Sequence, residues 1–437
     1  MPDEAQENSA ARLARFQEWR FGLFVHWGLY SLAGRHEWVM NRERLTDEQY
    51  RPYLDNFDPD LYDPGAWLDA AAEAGMKYTV LTSKHHEGFA LWDSNYGDFT
   101  VRHMPWGKDL VGPFVHAARE RNLGVGFYHS LLDWHHPDFP VDGLHPRRDD
   151  TPEQIAARGG DIARYRTFLH AQVEELLTRF GDVDLLWFDF SYPNRIRDGV
   201  RTWGGKGRDD WGSADLLALA RRLQPHILVN DRTDLPGDFV TPEQYQPATR
   251  MLVNGEPAVW EACQTLNGSW GYDRDNLDWK PVGMLVRMLV DTVSKDGNLL
   301  LNVGPNGRGE FDARSIETLR GIGRWMRLHG RSIYGAGQSE HQPPADCRYT
   351  QRGNRLYLHI FSWPFRHLHL SGLGDKVRYA QFLHDASEVR RHVIGADEIA
   401  QNTKIGGLPP GTLTLELPVQ QPNVEVPVVE LILHENA

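Results

Sequence analysis

Six short, nearly continuous apolar runs, each stopping at or just before polar residues, constrain the fold of this chain more than any other feature. They are Phe21–His26, Tyr78–Thr82, Gly124–Tyr128, Leu185–Phe190, Ile227–Asn230 and Val259–Ala262. Runs of this length without period-2 alternation are the signature of strands buried on both faces, as in parallel sheets. Between them lie amphipathic stretches at about 64–75, 110–122, 161–180, 213–223, 282–294 and 312–329, each with the 3.6-residue period of a helix. Alternating strands and helices in this number predict an α/β protein with a (β/α)8-like TIM barrel, whose chemistry sits at the C-terminal ends of its strands. That rim would carry His26-Trp27, Lys84-His85-His86-Glu87, His129, Asp189 and Asn230-Asp231-Arg232.

The run Asn298–Val303, with a Gly-Pro turn behind it, reads as a late strand that closes the barrel. After about residue 335 the pattern changes to short strands separated by Gly/Pro turns, at Arg355–Ile360, Val377–Ala380 and Thr412–Leu417. Residues 1–335 are therefore expected to form the barrel, and 336–437 a small antiparallel β-sandwich. The Gly- and charge-rich segment 190–212 reads as a loop over the barrel mouth.

Lys and Arg number 47 against 60 Asp and Glu, a formal charge of −13. A field of that sign repels phosphate backbones and anionic lipid, so neither nucleic acid nor a membrane is an expected partner. Cys263 and Cys347 are too few for a disulfide framework or a thiolate metal site, and could form at most one bridge. The polar, acidic N-terminal stretch lacks the basic start and apolar run of a secretory signal, and no segment approaches the length of a membrane span. Cytoplasmic location is the expectation.

Asp189 ends the run Leu185-Leu186-Trp187-Phe188, which would stand its carboxylate beside aromatic rings at the rim. Two readings are open there: an anionic nucleophile, or a cap on the following segment. Glycoside hydrolysis needs a second carboxyl group, and Glu243 and Glu261 are the candidates. His26, His85 and His86 could hydrogen-bond sugar hydroxyls or bind a metal. Adjacent histidines on an extended strand point to opposite faces, so the latter needs a backbone bend. Trp27, Trp38, Trp187, Trp260 and Trp270 lie near these polar positions, and an indole face suits the apolar side of a sugar ring.

In its longest motifs the chain resembles the α-L-fucosidases of glycoside hydrolase family 29. The matching stretches are Phe21–Ser31, Tyr78–Phe89, Leu186–Asp189, Ser269–Tyr272 and Asn298–Pro305, in one order across roughly residues 15–335. The resemblance implies an irregular barrel with a C-terminal β-sandwich, acting as a retaining exo-glycosidase on terminal α-L-fucosides through a covalent fucosyl-enzyme, without metal or other cofactor. It implies that Asp189 is the nucleophile and that Trp187 flanks it. His26, His85, His86 and Tyr128, with Glu37 and Trp38, would contact or support the fucose hydroxyls. Arg232 resembles the arginine near the sugar site, and Trp270 belongs to a matching stretch. Glu243 is the favoured acid/base and Glu261 the alternative. The expected partner is a fucosylated glycan or small fucoside. Two departures bear on specificity: Phe190 stands where the family often has Gly, and Val39 where it often has Tyr. The rivals are a glycosidase acting on a similar sugar, a non-catalytic carbohydrate-binding barrel, and a metallohydrolase built on the three histidines.

Overall fold

The computed structural model describes residues 2–197, 200–393, 399–400, 403–404 and 408–434. Its centre is a parallel sheet of seven strands: β1 (Phe21–Val25), β2 (Tyr78–Lys84), β3 (Gly124–Ser130), β4 (Leu185–Asp189), β5 (Leu228–Val229), β6 (Glu261–Thr265) and β7 (Asn298–Val303). The spatial order is β6-β7-β1-β2-β3-β4-β5, and every neighbouring pair is parallel. All seven are buried along their whole length, which is why they carry no polar alternation. Gly22 marks one tight point: a Cβ there would lie 2.4 Å from the ring of Tyr78 on the next strand.

The sheet curls, and an irregular segment closes it. Residues 239–243 run parallel between β5 and β6 through isolated bridges, Asn230 with Phe239, Val240 with Trp260 and Glu243 with Cys263. Pro242 has no N–H to give to a ladder, so this eighth position is made of single bridges. The apolar pattern does not announce it, and it brings Glu243 to the mouth.

The helices fall where the periodicity places them. Pro64–Glu73, Ile162–Arg179 and Ala313–His329 begin on Asp63, Asp161 and Asp312, whose carboxylates accept backbone N–H groups of the first turn, the usual office of an N-cap. Val282–Val293 buries Leu285, Val286, Leu289, Val290 and Val293 against the sheet.

The C-terminal part is a β-sandwich. Cys347–Arg352, Arg355–Ile360, Val428–Leu433 and Val377–Phe382 form one antiparallel sheet, and His367–Leu370, Leu413–Glu416 and Arg390–Val393 a second. Leu356 and Leu358 of the first pack with Leu370, Leu413 and Leu415 of the second in one core. Both cysteines are free and buried. The segment expected to be a loop pairs instead as an antiparallel hairpin, Asn194–Arg197 with Val200–Gly204; residues 198–199 of that expectation lie outside the described residues, as do parts of 394–407 and 435–437 of the sandwich. The hairpin's base is tied down where Lys206 and Tyr192 both bond Asp142. Among the described residues no helix is long and apolar enough to cross a membrane.

Where barrel and sandwich meet, Trp325 stacks on His329 and lies 6.3 Å from His359. Burial pushes the His329 imidazole down to about 4 and the His359 imidazole down to about 3. In the unfolded chain such rings take up a proton near pH 6.5. As pH falls from there toward the folded values, the unfolded state gains protons that the folded state refuses, and stability is lost. The thermal midpoint should fall between about pH 6.5 and pH 4, and His359→Leu should flatten that slope. Equal slopes for parent and variant would show that the ring is not held neutral in the fold.

Candidate active site

A cavity of about 320 Å³ opens at the C-terminal ends of the strands, the size of a small-ligand pocket. His26, Glu37, Trp38, His85, His86, Tyr128, Trp187, Asp189, Glu243 and Trp270 all line it, so ten of the twelve residues expected at the site converge there. Register explains the convergence: Val25 pairs with Leu81, Thr82 with Tyr128, and Ser130 with Asp189, which levels the strand ends. A larger cavity of about 860 Å³, between Ala313–His329 and residues 420–425, has neither His nor Asp in its wall.

Arg232 is the eleventh expected residue and it organises the carboxylates. Its Nη1 donates to Asp189 Oδ1 at 2.9 Å and to Glu243 Oε2 at 2.7 Å. The two carboxylate oxygens therefore cannot be further apart than those two lengths laid end to end. Arg232 is itself fixed, by Nε to Thr241 Oγ1 at 2.9 Å, by Nη2 to the Thr241 carbonyl at 3.1 Å, and by the face of Trp187 at 4.7 Å. Burial works against the guanidinium charge, but the Asp189 and Glu243 carboxylates beside it raise its pKa above the usual value. Asp189 also accepts from the Tyr128 hydroxyl at 2.9 Å and has His86 Nε2 at 3.8 Å. The Asp189 side chain is 12% exposed, whereas the Glu243 side chain is 40% exposed. One acid is thus sunk beside the cavity floor, and the other stands at its opening.

The histidines are supported from behind. His26 Nδ1 bonds Asn302 Oδ1 at 2.7 Å, and Asn302 in turn donates to the Trp270 carbonyl at 2.6 Å. His86 Nδ1 bonds Ser130 Oγ at 2.6 Å. Burial, reinforced by the neighbouring His85, holds His26 and His86 well below the usual imidazole range, so both rings are neutral near pH 7. The chain leaves the extended conformation after Lys84, and the rings of His85 and His86 come within 4.1 Å of each other. Among the described residues, no three His, Cys, Asp or Glu side chains are placed to hold a metal ion. Glu37 Oε2 accepts from the Gly271 N–H at 2.9 Å, and Trp38 packs edge-on to His86 at 5.2 Å.

Glu261 is the exception, and its place under the site corrects its candidacy as acid/base. It begins β6 rather than ending a strand, so it lies at the N-terminal side of the sheet. Both oxygens are occupied, one by Trp187 Nε1 at 3.0 Å and the other by the Tyr78 hydroxyl at 2.5 Å. Burial raises it to about 7. Its contact with the site is the indole it holds.

Residues the sequence did not single out complete the wall: Phe24, Arg42, Gln244, Cys263 and Gly268, together with Phe190, noted there only as a departure. Asn302 was readable as a closing-strand residue alone, yet an amide inside Leu299-Leu300-Leu301-Asn302-Val303 needs a partner, and that partner is His26. Phe190 has φ +81°, a conformation that bulky side chains rarely take, and its ring packs on Trp38 and His86. The one sequence signal of this strain is the departure already noted, a phenylalanine where glycine, free to take positive φ, is often found.

Glutamine at 261 can still accept from Trp187 and donate to Tyr78. Glu261→Gln should therefore keep activity within about tenfold of the parent without any response to azide. Since the folded carboxyl resists ionisation up to about pH 7, the parent loses stability as pH rises from the unfolded value toward 7. The stability gained by Glu261→Gln, measured by denaturant titration, should accordingly be larger at pH 8 than at pH 5. An azide-rescued loss of activity would return Glu261 to candidacy as the proton donor.

Against known proteins, residues 1–331 match the family model described as alpha-L-fucosidase. The tissue alpha-L-fucosidase of Bos taurus is 30% identical over 397 residues, covering 83% of this chain and 78% of that protein. Among solved structures, alpha-L-fucosidase isoenzyme 1 from Paenibacillus thiaminolyticus superposes with a TM-score of 0.88 at 40% identity, covering 98% of this chain and 100% of that one. A family 29 alpha-L-fucosidase from Bacteroides thetaiotaomicron, trapped as a covalent intermediate with 2-fluoro-fucosyl fluoride in a glutamate-to-glutamine mutant, superposes with a TM-score of 0.79 at 25% identity, covering 97% and 96%.

Proposed function

Because the chain belongs to the alpha-L-fucosidase family of glycoside hydrolases, we propose that it releases terminal α-L-fucose from fucosylated glycans or small fucosides by double displacement, with Asp189 as nucleophile and Glu243 as acid/base. One observation carries the reading: oxygens of both carboxylates lie within hydrogen-bond distance of one Arg232 nitrogen at the edge of the cavity. That spacing fits the separation of about 5–5.5 Å typical of retaining enzymes better than the roughly 6.5–9.5 Å that inversion needs to admit a water.

The fucose ring would occupy the cavity with its hydroxyls against Glu37, His26, His85 and His86. The neutral imidazoles of His26 and His86 suit this role, since each can donate or accept. A buried polar group left without its hydroxyl costs about 1–3 kcal/mol, which is how such a wall selects one sugar. Trp38, Trp187 and Trp270 provide aromatic surface for the apolar face of the ring.

In the first step an Asp189 oxygen attacks the anomeric carbon as the bond to the leaving oxygen breaks, and Glu243 gives that oxygen a proton. Negative charge on Asp189 offsets the positive charge that develops on the ring. Tyr128 and Arg232 orient the carboxylate, and in doing so they compete for its charge. In the second step Glu243, now ionised, takes a proton from water, whose oxygen attacks the same carbon and releases Asp189. The Arg232–Glu243 contact of the free site is the pairing of this base form. To act as acid, Glu243 exchanges that contact for the leaving oxygen.

Asp189→Asn should lower kcat by roughly a thousandfold or more for every fucoside. Glu243→Ala should cost about 10²–10⁴-fold with poor leaving groups and far less with good ones, azide restoring part of the rate. Near-parental turnover by Asp189→Asn, or equal losses across leaving groups for Glu243→Ala, would contradict the assignment.

A further inference from the structure

Glu243 and Phe190 form a wall shared by two cavities. Beside the sugar-sized one lies a second, of about 400 Å³, which they also line. The linings divide in a telling way. Asp189 faces only the first cavity, whereas Glu243 faces both. A nucleophile needs to meet the sugar alone, but a proton donor has to touch the bond between the sugar and what departs.

We propose that this second cavity is the leaving-group subsite, and that it takes a neutral, hydroxyl-rich sugar unit and disfavours leaving groups that carry a sulfate or carboxylate. The proposal rests on the fucosidase reading above and adds to it the chemical class of the aglycone.

The chemistry of the wall sets the class. Besides Glu243 the cavity presents the carboxylates of Asp231 and Asp234, the Ser191 hydroxyl and the Phe190 ring. Carboxylates accept strongly from hydroxyls, and an aromatic face covers the C–H side of a sugar ring. The acceptors are held in place. Asp231 Oδ1 accepts from Thr241 Oγ1 at 2.9 Å, and Asp234 Oδ2 accepts from the Arg208 N–H at 3.1 Å. The guanidinium in this wall, that of Arg232, is already engaged by Asp189 and Glu243, and the exposed Arg208 has its Nε 3.8 Å from Asp234 Oδ2. Among the described side chains, an anionic aglycone would therefore meet two fixed carboxylates, the cations at hand, Arg232 and Arg208, being already paired with carboxylates. Phe190, strained at φ +81°, places its ring between the two cavities, so the family departure at this position shapes the boundary between sugar and leaving group.

The test compares three substrates: α-L-fucosyl fluoride, whose leaving group is too small to enter the second cavity; a neutral fucosyl disaccharide; and that disaccharide with a sulfate on the leaving sugar. The parent should prefer the neutral disaccharide over the sulfated one by about tenfold or more in kcat/KM, and the Asp231→Asn, Asp234→Asn double variant should narrow that preference at least about fivefold. Fluoride hydrolysis by the same variant should stay within about twofold of the parent, which also reports that it is folded. Absence of the preference in the parent overturns the proposal without recourse to any variant. So does an unchanged preference in the double variant, or a change that appears only in Arg42→Ala at the rim of the first cavity. In those cases the fluoride is still turned over and the fucosidase reading stands. A parent that hydrolyses none of the three loses both.

Discussion

Arg232 is the group on which the site depends. A guanidinium withdrawn from water is costly unless it is paired and its hydrogen bonds are filled, and here two carboxylates, a threonine hydroxyl, a backbone carbonyl and an indole face fill them. Those partners come from two places in the chain: Asp189 and Trp187 from β4, Thr241 and Glu243 from the irregular segment that closes the barrel. The charge that makes the cluster stable also fixes the distance between the two acids. A lysine, with one nitrogen and no planar fork, cannot reproduce the set.

Behind this cluster a second layer fixes the groups that face the cavity. Asn302 sets the orientation of His26, Ser130 that of His86, and Glu261 that of Trp187. Each supporting residue belongs to a different strand from the one it supports or extends, so the parallel sheet itself transmits position to the site. Supporting contacts of this kind hold catalytic groups within the tolerance that chemistry requires. The same layer explains a carboxyl that is buried and strongly shifted without facing substrate: Glu261 spends both oxygens on neighbours under the floor.

How much of this was legible in sequence follows from burial. Strands covered on both faces appear as unbroken apolar runs, and a polar residue at the end of such a run has little choice but the rim. His26, His85, His86 and Asp189 were readable on that ground together with their motifs, whereas Tyr128 was accessible only through resemblance, and His129, expected at the rim on the same ground, instead bonds Ser83 Oγ and does not line the cavity. The closing segment was not, because Pro242 and single bridges leave no apolar run to detect. Glu243 was therefore accessible through resemblance and chain order rather than through pattern. Glu261 was misplaced by a strand boundary: the apolar run Val259–Ala262 begins before the strand, which opens at Glu261 and continues to Thr265, so the residue faces the opposite end of the sheet. The hairpin at 194–204 was hidden by its glycines and charges, and the backbone strain at Phe190 shows in sequence only as the departure from glycine.

The most direct test of the central claim, that Asp189 attacks sugar while Arg232 holds it beside Glu243, is covalent capture. After incubation with 2-fluoro-fucosyl fluoride, proteolysis and mass spectrometry of the inactivated protein should find one fluorofucosyl group per chain, on the Asp189 side chain. A label on any other residue, or rapid turnover of the reagent with no adduct in the presence of an active enzyme, would contradict it.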